Sequence, residues 1–158
     1  MQQARAEGAQ LDASVPHDLR VVLQLVVDDL PQADRTRAKL DLPPTVVLSE
    51  IDQDAVAIVA RNLIENALRH GSDAPITVAL LADGWLHVEN DCPVISPRTL
   101  DALRGRFMRG DDAAGGSGLG LAIVQKIADR TSARLDLASP LESTSRGFRA
   151  SIRLGRNA

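Results

Sequence analysis

The chain has no tyrosine, and its 158 residues include two phenylalanines and one tryptophan. A core drawn from this composition is aliphatic, and the scarcity argues against aromatic platforms for stacking single-stranded nucleic acid. The single cysteine, Cys92, can form neither an internal disulfide nor a cysteine-rich zinc site. That fits a reducing compartment and makes the cytoplasm the expected location. Long basic runs are also absent: 18 Lys and Arg stand against 21 Asp and Glu, a formal charge of −3, so nucleic acid is not an expected partner. The N-terminal MQQARAEGAQLDAS lacks the apolar stretch of a signal peptide. The longest apolar region, VVLQLVV, is too short to cross a bilayer, and no direct membrane contact by this domain is expected.

What is present is a chain long enough for one domain with its own core. Residues 1–15 read as a linker or tail, and residues 16–158 as the folded unit. Apolar positions Leu19, Val22, Leu23, Val26, Val27 and Leu30 recur at helical spacing and predict a helix from Pro16 to Leu30. AKLDL and TVVLS are strand candidates on either side of Pro43-Pro44. Asp52 to His70 carries an acidic first turn, no internal Gly or Pro, and Gly71 as a stop, so a helix is predicted there. ITVALL and WLHVEN flank Ala82-Asp83-Gly84, whose Asp-Gly step predicts a hairpin. Ser96-Pro97 opens a short helix through Leu103, and GGSGLGLAIV opens another to about Arg130. RLDLAS and GFRASIRL close the chain as strands. The pattern implies an α+β fold, a two-layer sandwich with a mixed, mostly antiparallel sheet covered on one face by three helices.

Two stretches carry chemistry. In ARNLIENALRH, Asn62 and Asn66 lie four apart on one helix face, with Arg69 and His70 a turn further on. Asparagines at the edge of an apolar stripe can equally be structural groups bonded to neighbouring backbone. GSGLG, directly before an apolar helix, presents free backbone N–H groups and the positive end of the helix dipole, which suits phosphate oxygens. It lacks the Lys and Ser or Thr of the phosphate loop GxxxxGK[ST], and no buried strand precedes it as a dinucleotide fingerprint requires.

In this order the segments resemble the catalytic and ATP-binding domain of sensor histidine kinases. That domain belongs to the wider family of gyrase, the Hsp90 chaperones and the MutL repair proteins. NLIENALRH looks like the family's N box, RFMRG like its F box and GSGLGLAIV like its second glycine box. The resemblance implies a Bergerat-type ATP-binding fold and an enzyme that transfers the terminal phosphoryl group of ATP to a histidine. That histidine would lie on a dimerisation and histidine-phosphotransfer domain of the same kinase, and a response regulator would receive the phosphoryl group from it. Asn66 would hold Mg2+ through its amide oxygen. Asn62 stands where hydrolytic relatives carry a glutamate base; an amide cannot take a proton from water, which favours transfer over hydrolysis. Arg69, His70 and Arg109 would meet the phosphate tail, and the backbone of Gly116, Ser117, Gly118, Leu119, Gly120 and Leu121 would cradle it. Residues 110–117 would form a lid. The full-length kinase would be anchored in the inner membrane, and this chain would be a catalytic domain without the acceptor.

VENDCPVIS falls where the family's first glycine box, DxGxG, belongs. Keeping Pro93 and Ile95 in their usual places puts Asn90 at the aspartate position, with Asp91 beside it and Cys92 and Val94 at the glycines. Matching Asp to Asp instead selects Asp91 and puts Pro93 and Ile95 at the glycines. The first register is preferred because it also fits the following helix and the F box. Asn90 can accept from the adenine amino group and donate to the adjacent ring nitrogen.

Cys92 reads as a small space-filler with no nearby cation in the loop. PHDLR superficially looks like an acceptor motif, but His17 stands too close to Asn62, and VVLQLVV lacks the proline-containing continuation. His17 is expected to be exposed in the first helical turn, and His87, alternating within a strand, to be structural. A degenerate nucleotide-sensing module with weak or no ATP binding and a gyrase-like ATPase are the competing functions.

Overall fold

The computed structural model describes residues 15–109, 117–142 and 144–157, with backbone alone over 104–109, 117–120 and 157. In chain order the elements are β1 (His17–Asp18), α1 (Leu19–Asp28), α2 (Gln32–Arg37), β2 (Ala38–Asp41), β3 (Val47–Ser49) and α3 (Gln53–His70). They continue as β4 (Ile76–Leu80), β5 (Trp85–Asn90), α4 (Pro97–Arg109), α5 (Ser117–Thr131), β6 (Leu135–Ala138), β7 (Phe148–Arg153) and β8 (Arg156–Asn157).

The architecture is the expected α+β sandwich. Five strands in the order β2-β4-β5-β7-β6 form the main sheet, antiparallel throughout except for the parallel β2–β4 pair. Period-two alternation sets its faces: Ile76, Val78 and Leu80 of β4 and Leu86, Val88 and Asn90 of β5 are buried, and the residues between them are less so. The helices cover this inner face. Their apolar stripes supply Leu19, Leu23, Val56, Val59, Leu63, Ile64 and Val124, all essentially inaccessible, to one continuous aliphatic cluster. Among the described residues no helix is long and apolar enough to cross a membrane.

On the outer face His87 is structural, as expected: its ring stacks on Trp85 at 6.3 Å between centroids, and its Nδ1 lies 2.5 Å from the Ser151 hydroxyl on the neighbouring strand.

Several boundaries differ from those expected. The first helix starts at Leu19, because Asp18 caps it by accepting from the Arg20 N–H at 3.1 Å. His17 and Asp18 instead pair with β3, which also pairs with β8, so a second, three-stranded sheet forms from distant parts of the chain. His17 is therefore not an exposed residue of a helical turn. It is half-buried in β1, and its Nε2 donates to the Ile51 carbonyl at 2.7 Å. The helix after Ser96 continues past Leu103 to Arg109, crossing Gly105. A single glycine costs a helix interior only about 1 kcal/mol, and RGRFMR contains no proline to stop it. The 52–70 helix is as expected, capped by Asp52, whose carboxylate accepts from the N–H groups of Asp54 and Ala55.

Candidate functional site

The C-terminal half of α3, the end of β5, the loop after it, and residues of α4, α5 and β7 enclose a cavity of about 310 Å³. Among the described residues its polar lining is Asn66, His70 and Asn90, and Cys92, Pro93, Ile95, Leu103, Leu121 and Phe148 form the rest of the wall. An apolar slot with a few convergent polar groups suits a planar ligand with hydrogen-bonding edges.

Asn90 reaches the cavity because of strand periodicity. It is the third member of the inward series Leu86, Val88, Asn90 and is 4% exposed. Asp91, one residue on, points out of the sheet. Its carboxylate accepts from Arg146 Nε at 2.6 Å and Nη2 at 3.2 Å, and from the Ser72 hydroxyl at 3.1 Å. The bonds from Arg146, then from Ser72, hold the Asp91 carboxyl below its ordinary range. Of the two registers, the one that selects Asn90 puts a buried side chain in the cavity. Asn90→Ala is accordingly expected to weaken nucleotide binding more than Asp91→Ala, measured by titration calorimetry; the reverse order would restore the Asp91 register.

The loop's missing glycines prove less costly than their absence from the motif implies. Among the described residues the only non-glycine with positive φ is Ser132, so neither Cys92 nor Val94 adopts the left-handed backbone that favours glycine. Val94 is 53% exposed and leaves the cavity open. Cys92 does occupy the wall, with its thiol pushed up in pKa chiefly by burial. This agrees with a space-filling side chain and not a reactive one.

Asn66 and Asn62 separate in position. Asn66 lines the cavity, whereas the Asn62 amide donates to the Ile58 carbonyl of its own helix at 2.8 Å and does not line it. His70 lines the cavity, its pKa lowered by partial burial and then by the Arg69 charge. Arg69 is exposed and outside the lining. Arg109 ends α4, and Ser117, Gly118, Leu119 and Gly120 form the first turn of α5, with side chains outside what is described. N–H groups in a first helical turn lack intrahelical partners, and here that turn leads directly into Leu121 in the cavity wall. Gly116 and the rest of the expected lid up to it, 110–116, lie outside the described residues.

Sequence reasoning missed Phe148, Leu103 and the second role of Gly71. Gly71 is not a left-handed helix stop; its backbone is extended, with φ −84° and ψ 175°. A Cβ there would sit 2.8 Å from the Ala67 carbonyl oxygen and 3.0 Å from Asn90 Cβ, so the missing side chain makes room for Asn90. Phe148 pairs directly with Asn90 across the β5–β7 ladder, a long-range register that no local pattern reveals.

Residues 51–157 match the family described as histidine kinase-, DNA gyrase B-, and HSP90-like ATPases. The sensor protein QseC of Escherichia coli K12 is 32% identical over 124 residues, which cover 70% of this chain and 27% of QseC. The chain thus spans little more than a quarter of that curated relative. Among solved structures, the histidine kinase domain of the E. coli osmosensor EnvZ aligns with a TM-score of 0.67 and 28% identity, over 92% of this chain and 90% of that one. Full-length ShkA in complex with AMPPNP aligns at 0.68 with 20% identity, over 98% of this chain and 34% of ShkA. The chain belongs to the histidine kinase-, DNA gyrase B-, and HSP90-like ATPase family, as an ATP-binding catalytic domain of the sensor histidine kinase type.

Proposed function

We propose that the cavity binds ATP with Mg2+ and that the domain passes the terminal phosphoryl group to a histidine on the dimerisation and histidine-phosphotransfer domain of the same kinase. A response regulator then takes it from that histidine. The observation that carries this reading is the convergence in one cavity of Asn66 from α3, buried Asn90 from β5, and Leu121 directly after the glycine-rich turn. The ATP analogue bound by ShkA, which shares the fold, supports the choice of nucleotide.

Asn90 meets the edge of the base, and Ile95, Leu103 and Phe148 pack around the ring. The glycine-rich segment 116–121 takes the phosphates, chiefly through the N–H groups in the first turn of α5, with Arg69, His70 and Arg109 at the tail. Asn66 supplies one hard amide oxygen to the metal. Among the described residues no group of three or more His, Cys, Asp or Glu could cage a metal ion, so the donor set suits an ion that arrives with phosphate oxygens and water as its other ligands. Magnesium held there would neutralise developing charge on the phosphates. Asn62 has no proton-accepting group to offer water, which favours transfer to a protein acceptor over hydrolysis.

Residues 16–158 constitute the catalytic domain and 1–15 a linker, working at the cytoplasmic side of a longer, membrane-anchored kinase. Calorimetry with ATP should show binding that strengthens when magnesium is added. Labelled ATP should mark a histidine-phosphotransfer domain supplied in trans and leave this chain unlabelled. No heat at millimolar ATP would instead support a degenerate sensing module, the reading that Cys92 in the cavity wall favours. Self-labelling lost in His17→Ala would place the acceptor in this chain.

A further inference from the structure

The base-recognition residue here is an amide, and nothing among the described residues fixes which of its ends faces the cavity. Asn90 is 4% exposed and lines the cavity, with the Cys92 thiol, two residues away, in the same wall. A thiol both donates and accepts weakly, so it tolerates either orientation of the amide. The other close neighbour is Gly71, where an added Cβ would stand 3.3 Å from Asn90 Nδ2; with hydrogen in that place, Gly71 sets no side chain against the amide.

The two amide orientations present opposite codes. With Oδ1 toward the 6-position, Asn90 accepts from a 6-amino group and Nδ2 donates to an unprotonated N1. Rotated by half a turn, Nδ2 donates to a 6-oxo group and Oδ1 accepts from N1–H. An aspartate in the same place only accepts, so it favours the 6-amino group and repels a 6-oxo oxygen.

We infer that this pocket takes 6-oxopurine as well as 6-aminopurine nucleoside triphosphates, with the rotatable Asn90 amide, seated between Cys92 and Gly71, reading either edge. The inference rests on the proposed nucleotide site and narrows its substrate class. Inosine triphosphate is the appropriate probe because it replaces the 6-amino edge without adding a 2-amino group.

The test is competition calorimetry of ATP and inosine triphosphate, each with magnesium, on the wild-type domain and on Asn90→Asp. The wild type should bind the two within about tenfold of each other, and Asn90→Asp should widen the preference for ATP by a further tenfold or so. A wild-type preference for ATP beyond about tenfold, or an Asn90→Asp ratio equal to that of the wild type, overturns the inference. The wild-type ratio decides alone if Asn90→Asp does not fold. Exclusion of inosine triphosphate alone sinks only this inference; failure of ATP itself to bind at millimolar concentration sinks the proposed site as well.

Discussion

Asn66→Ala is expected to lower phosphoryl transfer to a histidine-phosphotransfer domain supplied in trans by on the order of 100-fold or more. Asn66 lines the cavity from the inner side of α3, and its neighbour Ala67 is buried in the core, so its side chain is directed by a helix that cannot easily shift. Alanine is the best helix former, and the substitution leaves the α3 core residues in place, so the fold should survive. What would be lost, on the proposed function, is the amide oxygen offered to the metal. ATP affinity measured without magnesium should change little, while the gain on adding magnesium should shrink. Asn66→Asp, which keeps an oxygen ligand, should retain part of the transfer. A rate within a few-fold of the wild type in Asn66→Ala would remove Asn66 from the proposed machinery. Asn62 makes a useful comparison, because its amide is already committed to the Ile58 carbonyl and lies outside the cavity lining.

Gly84→Ala should destabilise the domain by about 3 kcal/mol or more in chemical denaturation. Gly84 closes the β4–β5 hairpin with φ +95°, a conformation that L side chains rarely adopt. Its missing side chain also lets the end of the chain cross close by: a Cβ would lie 1.9 Å from the Gly155 carbonyl oxygen and 2.8 Å from the Arg156 N. These are backbone atoms, held because the Gly84 carbonyl accepts from the N–H groups of Leu154 and Gly155 at 2.9 and 3.2 Å. Relief would require separating the hairpin from the segment that leads into β8. Gly147→Ala meets Leu141 side-chain atoms instead and can be accommodated in part by moving them, although its φ of +103° keeps it costly. A loss below about 1 kcal/mol for Gly84→Ala would mean that the 154–156 segment yields freely.

The stretches read well from sequence are those whose signal is local. α3 was marked by its acidic start, its unbroken apolar stripe and the glycine after it, and the β4–β5 hairpin by alternation on either side of an Asp-Gly step. The same alternation held the information that separates Asn90 from Asp91, since residues two apart share a face. Where the reading went astray, long-range partners decided. His17 and Asp18 satisfy helical periodicity poorly enough that pairing with β3, some thirty residues on, takes them instead.

By itself the sequence determined the class of fold, the order of the nucleotide-site motifs and the strand face on which Asn90 lies, because periodicity and turn chemistry act over a few residues. Only the tertiary structure decided that Asp91 is tied to Arg146, that Asn62 turns back onto its own helix, and that Gly71 is needed as room for Asn90. The Asp91–Arg146 ion pair and the Gly71–Asn90 contact join residues distant in sequence, whereas the Asn62 bond is local and is one of the alternatives an asparagine on a helix can take. The long-range choices are made by packing and by the hydrogen bonds left to satisfy once the sheet and helices meet, and no local pattern encodes them.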